Sequence, residues 1–415
     1  MVPMGSVEPS SVGPSATLGV CYGSAIVPGT GIHGSAREDI RRMGAPNDPR
    51  VEGRAGHDGH TAASPVHASD GPNAFGASAR RRASMREVAD LADVAISSVS
   101  RVLSGHPDVS AAMRERVLTA VRRLEYEPDF LAQSLRRGQT LSVGFVLADI
   151  SNPLMAEIVL GAEAVLRSAG YSLLLMNSEN DPALDAQHIR FFQSRRVDGM
   201  ILSLASETDP ATLDTVSQVE GPVVLVDRQL PDHLGASAVV NDHRPGMEAA
   251  VEHLVDLGHR RIALITGSPS QLPGRERMEA MRAVLRRRRE SVDAVYLPGS
   301  FSTEYGEAAA RQALASDRRP TAIIAGGNQL LIGVLRTLHQ RGLRVGQDVS
   351  LVTCDDVPLS ELHEPPIATI ERDTVALGRV AAELLLGRLI GNDEPRTEVM
   401  PTRFVPRPSC APPAA

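Results

Sequence analysis

Arginine supplies all of the positive charge in this sequence. The chain has 415 residues, of which 43 are basic and none is lysine. Every cationic contact to a phosphate, a base or a carboxylate must therefore come from a planar guanidinium group with several N–H donors. The net charge is −7, but residues 80–140 contain 11 Arg and 8 acidic residues and carry +3, which leaves −10 for the rest. This region is the electropositive end of an acidic protein.

The sequence contains no residue spacing that indicates a catalytic site. Residues 29–34 match the pattern G-x-G-x-x-G, which cradles a pyrophosphate when a strand leads into it and a helix follows. Pro28 stands where that strand would end, and no such unit surrounds the glycines. No G-x-S-x-G elbow, P-loop or paired Cys/His cluster follows a strand-like segment. We therefore predict that the chain is not an enzyme and holds no cofactor.

Histidine and cysteine are too scattered to predict a metal site. Three N-terminal histidines could bind a metal, but a solvated tail explains them better: His57, His60 and His67. The cysteines are far apart, which argues against a zinc site or a disulfide framework and favours a reducing compartment: Cys21, Cys354 and Cys410. No segment approaches the ~18 apolar residues of a membrane span. We expect a cytoplasmic protein that contacts no membrane.

Residues 83–127 have the pattern of three short helices. Ser84 and Glu87 form a capping box, in which the Ser oxygen and the Glu carboxylate satisfy free amides of a first turn. A tight turn leads to a second helix over Ile96–Leu103, and a third helix begins after Ser110. Two short helices joined by a turn and braced by a third predict a helix-turn-helix, the small all-α part of the fold.

The two flanks of this helical region differ in composition. Residues 1–82 are rich in Gly, Pro, Ser and His without periodicity, so we expect a disordered or non-native N-terminal extension. From Leu141 onward, amphipathic helical segments alternate with short aliphatic runs: Ser142–Ala148, Ser172–Met176, Met200–Leu204, Val223–Val226, Ile262–Thr266, Thr321–Ala325 and Val349–Thr353. Such alternation demands parallel sheets covered by helices on both faces. Roughly 260 residues exceed one sheet, so we predict two α/β lobes with a cleft between them.

Several segments, in the same order along the chain, resemble the lac/gal repressor (LacI) family. The helix-turn-helix of residues 86–105 and residues 128–136, which match that family's hinge helix, carry the resemblance most clearly. Further matching segments are Asp149–Pro153, Arg195–Gly199, Leu257–Ala263 and Asp348–Val352. The likeness runs from about residue 83 to 408.

The resemblance implies a domain order and partners. It gives a DNA-binding headpiece at 83–127, a hinge helix at 128–140, a two-lobe effector-binding and dimerisation domain of the periplasmic-binding-protein type at 141–408, and a tail at 409–415. It implies a homodimer or tetramer that binds pseudo-palindromic double-stranded operator DNA and is switched by a small molecule in the cleft. A headpiece of this size reads few base pairs, so pairing two of them raises affinity and specificity.

The resemblance also assigns DNA contacts to individual residues. Ile96, Ser97 and Arg101 match positions that reach base edges, and Arg101 could make a bidentate contact to guanine. Three serines are expected to contact phosphates, with simple exposure as the alternative: Ser98, Ser100 and Ser104. Ala95 departs from the family because it replaces the Ser that caps the recognition helix, which costs about 0.5–2 kcal/mol.

In the hinge, the resemblance implies that Leu135 inserts into a central base step through the minor groove. Arg136 lies beside it as a further DNA-contact residue, and Gln133 replaces a hinge Arg, which removes one phosphate contact. Weaker or more salt-sensitive operator binding is expected from these departures.

For the cleft, the resemblance implies that Arg277 clamps the ligand and that Asp355 accepts hydrogen bonds from it. Phe301 is expected either to stack on the ligand or to lie in the core. Asp227 and Asn152 are weaker candidates, and two residues occupy positions that are aromatic in many relatives: Leu154 and Met155. Guanidinium and carboxylate together suit the vicinal hydroxyls of a sugar or sugar derivative.

Two further positions bear on the choice of ligand. Gln271 stands where the purine repressor has a ligand-binding Arg, which weakens a purine assignment. Gly327-Asn328 replaces a common Asn-Asp pair, and Asn328 is either a ligand contact or only an N-cap. A sugar-binding protein of a transport system shares the two-lobe fold, but it has no use for a helix-turn-helix and needs an export signal that this sequence lacks.

Overall fold

The computed structural model describes residues 83–127, 138–288, 291–391 and 394–414. The N-terminal extension and the hinge residues Gln133, Leu135 and Arg136 lie outside this part of the chain. No helix of the described residues is long and apolar enough to cross a membrane. The same residues bring together no group of three His, Cys, Asp or Glu side chains that could hold a metal ion.

The headpiece consists of three helices: α1 Met85–Ala92, α2 Ile96–Leu103 and α3 Ala111–Arg123. The predicted capping box is present, since the Ser84 hydroxyl accepts the Glu87 amide at 3.3 Å and the Glu87 carboxylate accepts the Ser84 amide at 2.7 Å. Among the described residues no side chain caps α2, because its N-cap is Ala95. Aliphatic residues from all three helices form the core, among them Val88, Val99, Val102 and Val117.

The first lobe is a six-stranded sheet with strand order β11-β5-β4-β3-β1-β2, and its pairs are all parallel. Its strands are β1 Ser142–Leu147, β2 Ser172–Asn177, β3 Gly199–Leu202, β4 Val223–Val226, β5 Ser237–Asp242 and β11 Thr397–Pro401. Its helices are α4 Pro153–Ser168, α5 Pro182–Ser194, α6 Pro210–Ser217 and α12 Thr374–Leu389. Separate aliphatic clusters lie on the two faces of the sheet, which explains why its central strands are continuously apolar.

The second lobe repeats this plan with strand order β12-β10-β9-β8-β6-β7. Its strands are β6 Arg261–Gly267, β7 Asp293–Gly299, β8 Ala322–Ala325, β9 Ser350–Cys354, β10 Ala368–Glu371 and β12 Arg403–Val405. Its helices are α7 His243–Asp256, α8 Leu272–Arg288, α9 Thr303–Leu314, α10 Asn328–Gln340 and α11 Pro358–Leu362. The edge strand β12 runs antiparallel to β10, which differs from the purely parallel sheet that we expected.

In the part of the chain that the structure describes, the backbone crosses between the lobes three times: between β5 and α7, between β10 and α12, and between β11 and β12. Two crossings are joined directly, because the Thr402 hydroxyl donates to the Asp242 carbonyl at 2.7 Å. Three parallel connections of this kind allow the lobes to rotate about a common hinge.

The end of the chain differs from the expected tail at 409–415. Ser409 is buried, and its hydroxyl donates to the Leu351 carbonyl at 2.6 Å and accepts the Ala368 amide at 2.8 Å. Ala411 follows it onto β9, where its amide donates to the Ser350 hydroxyl at 3.0 Å. Residues 409–411 are therefore packed against the second lobe.

Candidate functional site

The cleft between the lobes lies at the carboxyl ends of the parallel strands, where α/β proteins commonly bind ligands. Its cavity volume is about 70 Å³. Asp227 follows β4 of the first lobe, whereas Asp355 and Arg372 follow β9 and β10 of the second. The structure brings together on its walls all seven residues that the sequence nominated for the effector: Asn152, Leu154, Met155, Asp227, Arg277, Phe301 and Asp355.

Arg372 joins the two buried carboxylates of the cleft. Its Nε donates to Asp355 Oδ1 at 2.6 Å, and its Nη1 forms an ion pair with Asp227 Oδ2. The side chains in both pairs are at most 8% exposed. Although burial disfavours its charge, the two carboxylates raise the pKa of Arg372 above its usual value. The Arg372–Asp227 pair connects the lobes across the hinge.

Several contacts besides the ion pair with Arg372 stabilise the ionised form of Asp227. Burial raises its pKa, but Arg372, His243 and the hydrogen bonds from Asn241 outweigh burial and lower it to about 2. The Asn241 amide donates to its carboxylate at 2.9 Å, and the Asn241 side-chain nitrogen donates at 2.8 and 3.0 Å. His243 lies 4.0 Å away, and burial together with the nearby Arg277 lowers the pKa of this imidazole well below its usual range.

Arg277 lies on the other wall of the cleft, on α8. It is 2% exposed, and its Nη1 donates to the Gly326 carbonyl at 2.6 Å. Its guanidinium carbon lies 5.7 Å from the centre of the Phe301 ring, within cation–π range. Phe301 is half-buried, lines the cleft and also packs against a core cluster of the second lobe, so both roles expected of it are compatible with its position.

An asparagine pair links the lobes at the same cleft. Asn328 Nδ2 donates to Asn152 Oδ1 at 2.9 Å, and that oxygen also accepts the Leu154 amide at 3.1 Å as the N-cap of α4. Asn328 is the first residue of α10 and Gly327 is its N-cap, so the alternative that Asn328 serves only as an N-cap is wrong.

A third link between the lobes lies beside the cleft. Glu207, in the loop after β3, accepts two hydrogen bonds from the Arg275 guanidinium, both at 3.1 Å, and the Leu272 amide at 2.7 Å. Gln271 donates its side-chain amide to the Ala205 carbonyl at 2.7 Å. Gln271 therefore contributes to contact between the lobes, and it is absent from the residues that line the cleft.

In the headpiece, the polar face of α2 is available to a partner. Six residues of α2 and its C-cap are predicted to contact DNA, and four of them are exposed: Ile96, Ser97, Arg101 and Ser104. Ser98 and Ser100 are half-buried, and the hydroxyl of Ser104 donates to the Arg101 carbonyl at 3.1 Å. The opposite face of α2 is anchored by Val99 and Val102 in the headpiece core.

The point where the chain enters the first lobe is fixed by Asp198. This carboxylate accepts the Thr140 amide at 2.8 Å, the Thr140 hydroxyl at 3.1 Å and the Leu141 amide at 2.7 Å. Leu141 has a positive φ of 48°, a conformation that costs energy in a non-glycine residue. The Asp198 contacts compensate for this cost and set the direction in which residues 138–141 leave the lobe.

Comparisons with known proteins agree with both parts of this architecture. Residues 84–129 match the profile of bacterial regulatory proteins of the lacI family, and residues 251–410 match a periplasmic binding protein-like domain. The chain is 34% identical over 310 residues to the ribose operon repressor of Escherichia coli (strain K12), across 74% of this chain and 93% of that protein. The chain belongs to the LacI family.

Other LacI-family proteins are similar over the same region. The PurR transcriptional repressor of Haemophilus influenzae (strain PittEE) is 31% identical over 318 residues, which cover 75% of this chain and 93% of that protein. The lac repressor dimer bound to operator and the anti-inducer ONPF superposes with a TM-score of 0.72 at 27% identity, over 80% of this chain and all of that chain. The regulator CelR in complex with cellobiose superposes with a TM-score of 0.60 at 30% identity, over 79% of this chain and all of that chain.

Membership of the LacI family confirms the predicted fold class and the assignment to DNA-binding regulators. The headpiece also distinguishes the chain from a transport protein with the same two lobes. Sequence reasoning missed several polar residues that line the cleft: Asp149, Asn180, Ser203, Arg228, Gln329 and Arg372. Arg372 directly follows strand β10, Ala368–Glu371, and the short apolar run of that strand is the sequence signal that could have indicated its position.

Proposed function

We propose that this chain is a sequence-specific transcriptional repressor whose affinity for operator DNA is set by a small polar effector in the cleft. The observation that carries the proposal is the combination, in one LacI-family chain, of an exposed recognition helix with a two-lobe cleft lined by buried charges. A regulator that binds operator DNA acts where that DNA is, so the proposal assigns the chain to the cytoplasm. Effector binding changes the lobe angle, and the hinge carries that change to the headpieces.

The chemistry of the cleft supports a sugar or sugar derivative as the effector. Carboxylates and guanidinium groups provide acceptors and donors for hydroxyl groups, and Phe301 provides a flat apolar surface for a sugar ring. Among the similar proteins, one is named as a ribose operon repressor and another is described as a cellobiose complex.

A homodimer supports the same function, because two headpieces match a pseudo-palindromic operator. The first lobe exposes leucines that would suit a second copy of the chain. Leu174 and Leu175 lie on the edge strand β2 and are 40% and 41% exposed, and Leu160 on α4 is 62% exposed. Burial of these side chains at a subunit interface would remove them from water.

The test is selection of DNA from a random-sequence pool at moderate salt, followed by titration of the enriched site. We expect enrichment of a pseudo-palindrome. Arg101→Ala should weaken binding and relax the sequence preference at one position by about 1–3 kcal/mol. Arg116→Ala, which removes the same charge from an exposed position on α3, is the matched control and should keep the preference. Failure to enrich any sequence would refute the proposed function.

A further inference from the structure

The buried charges of the cleft are not paired one to one. Three guanidinium groups and two carboxylates have buried side chains there: Arg228, Arg277, Arg372, Asp227 and Asp355. A further carboxylate, Asp149, is half-exposed on the cleft wall and accepts the amide and hydroxyl of Ser151 at 2.9 and 2.7 Å. The buried set therefore contains one more cation than anions.

Arg372 forms ion pairs with both buried carboxylates. Arg228 is satisfied by main-chain oxygens, because it donates to the carbonyls of Leu204 and Asp227. Burial lowers the pKa of Arg228, and the nearby carboxylates of Glu207 and Asp227 oppose that effect. Neither guanidinium depends on an added ligand for a partner.

Arg277 has no such arrangement. Among the described residues, no carboxylate lies within 4.0 Å of its guanidinium, and its only hydrogen-bond partner there is the Gly326 carbonyl. Its Nε is buried without a hydrogen-bond partner in the same part of the chain. A guanidinium that is removed from water without a counter-ion is costly, and a ligand with a carboxylate or phosphate would reduce that cost through charge-assisted, bidentate hydrogen bonds.

We propose that the effector is anionic, a polyhydroxy compound with a carboxylate or phosphate group that binds at Arg277. The face of Phe301 lies beside the same guanidinium and takes the apolar side of the effector, and the Asn152–Asn328 pair lies on the cleft wall to bind its hydroxyls. This inference rests on the proposed function, since it assigns a chemical class to the effector of that cleft.

The experiment compares neutral and anionic partners of the same sugar at constant ionic strength, by calorimetric titration of the full chain. The panel is ribose, ribonate and ribose 5-phosphate, and glucose, gluconate and glucose 6-phosphate, with acetate and inorganic phosphate as ion controls. We expect at least one sugar acid or sugar phosphate to bind ten or more times as tightly as its neutral partner. The two anionic series distinguish a carboxylate from a phosphate. Neutral sugars that bind as tightly as their anionic partners, or no binding by any anionic member, would overturn the inference.

Variants of α8 locate the effect. Arg277→Gln should reduce the ratio of anionic to neutral affinity to within about threefold of unity, and Arg277→Lys should retain part of the ratio because it keeps the charge. Arg282→Gln removes the same charge from an exposed position on the same helix and should leave the ratio unchanged. An unaltered ratio in Arg277→Gln would contradict the assignment. The DNA selection described above is made without effector, so a chain that enriches an operator but prefers neutral sugars refutes this inference alone.

Discussion

Asp185 provides a test of how the first lobe supports the contact between lobes. It lies on α5, is fully buried, and accepts the Ala205 amide at 2.7 Å through Oδ2. The carbonyl of Ala205 in turn accepts the Gln271 side chain of the second lobe. Burial raises the pKa of the Asp185 carboxyl to about 6, against the opposing effect of the Ala205 hydrogen bond.

The direction of the pH dependence follows from this shift. The reference pKa is 3.8, so between about pH 4 and pH 6 the folded chain holds a proton that the unfolded chain has released. The contribution of Asp185 to the free energy of unfolding is therefore largest below pH 4, and it is lost as the pH rises through 6. A shift of about two units corresponds to a loss of about 3 kcal/mol by pH 7.5.

Asp185→Asn removes the ionisation and keeps an oxygen that can accept the Ala205 amide. We expect its free energy of unfolding to equal that of the unchanged protein near pH 4 and to exceed it by up to about 3 kcal/mol at pH 7.5. Denaturant unfolding at several pH values measures both quantities. A pH-independent difference for Asp185→Asn, or lower stability than the unchanged protein at pH 7.5, would refute the reasoning.

Three other substitutions test separate parts of the structure. Asp198→Ala should weaken binding to the selected DNA about tenfold in a direct titration. The reason is that loss of its three hydrogen bonds frees the point where the chain enters the first lobe. Unchanged affinity would show that Asp198 does not orient the hinge. Gly378→Ala should lower the free energy of unfolding by about 1–3 kcal/mol, since the new Cβ overlaps a main-chain oxygen of α4, and equal stability would contradict that close approach. Ala95→Ser should slow amide exchange in α2 through about 0.5–2 kcal/mol of added stability, and no change would show that the serine does not cap the helix.

The headpiece could be predicted closely because its signals are local. A capping box and the spacing of aliphatic residues depend on neighbours three or four positions away, and α2 begins and ends where the sequence indicated. Strands such as β4 were also recognisable, because a strand covered on both faces is continuously apolar. Strand β7 was missed, since its seven residues include Asp293 and Pro298 at the edge of the sheet.

The cleft could be predicted only in part, for a reason of topology. The resemblance to relatives supplied seven effector-contact residues at matching positions, and all seven line the cleft. It gave no indication of Arg372, whose role depends on three strands that are distant in sequence. β10 pairs with β9, which brings Arg372 beside Asp355, while Asp227 reaches the same point from the other sheet. No local sequence pattern indicates that these three side chains lie close together.

The position of Arg372 also determines how closure of the lobes and ligand binding interact. Arg372 and Asp355 belong to adjacent strands of one lobe, so rotation of the lobes leaves this pair intact, whereas Asp227 belongs to the other lobe and would move away. Asp227 would retain the three hydrogen bonds from Asn241, which lies on neighbouring β5 of its own lobe. The Arg372–Asp227 pair therefore favours the lobe arrangement seen in this structure, and an effector shifts the lobe angle only if it binds one lobe arrangement more tightly than another.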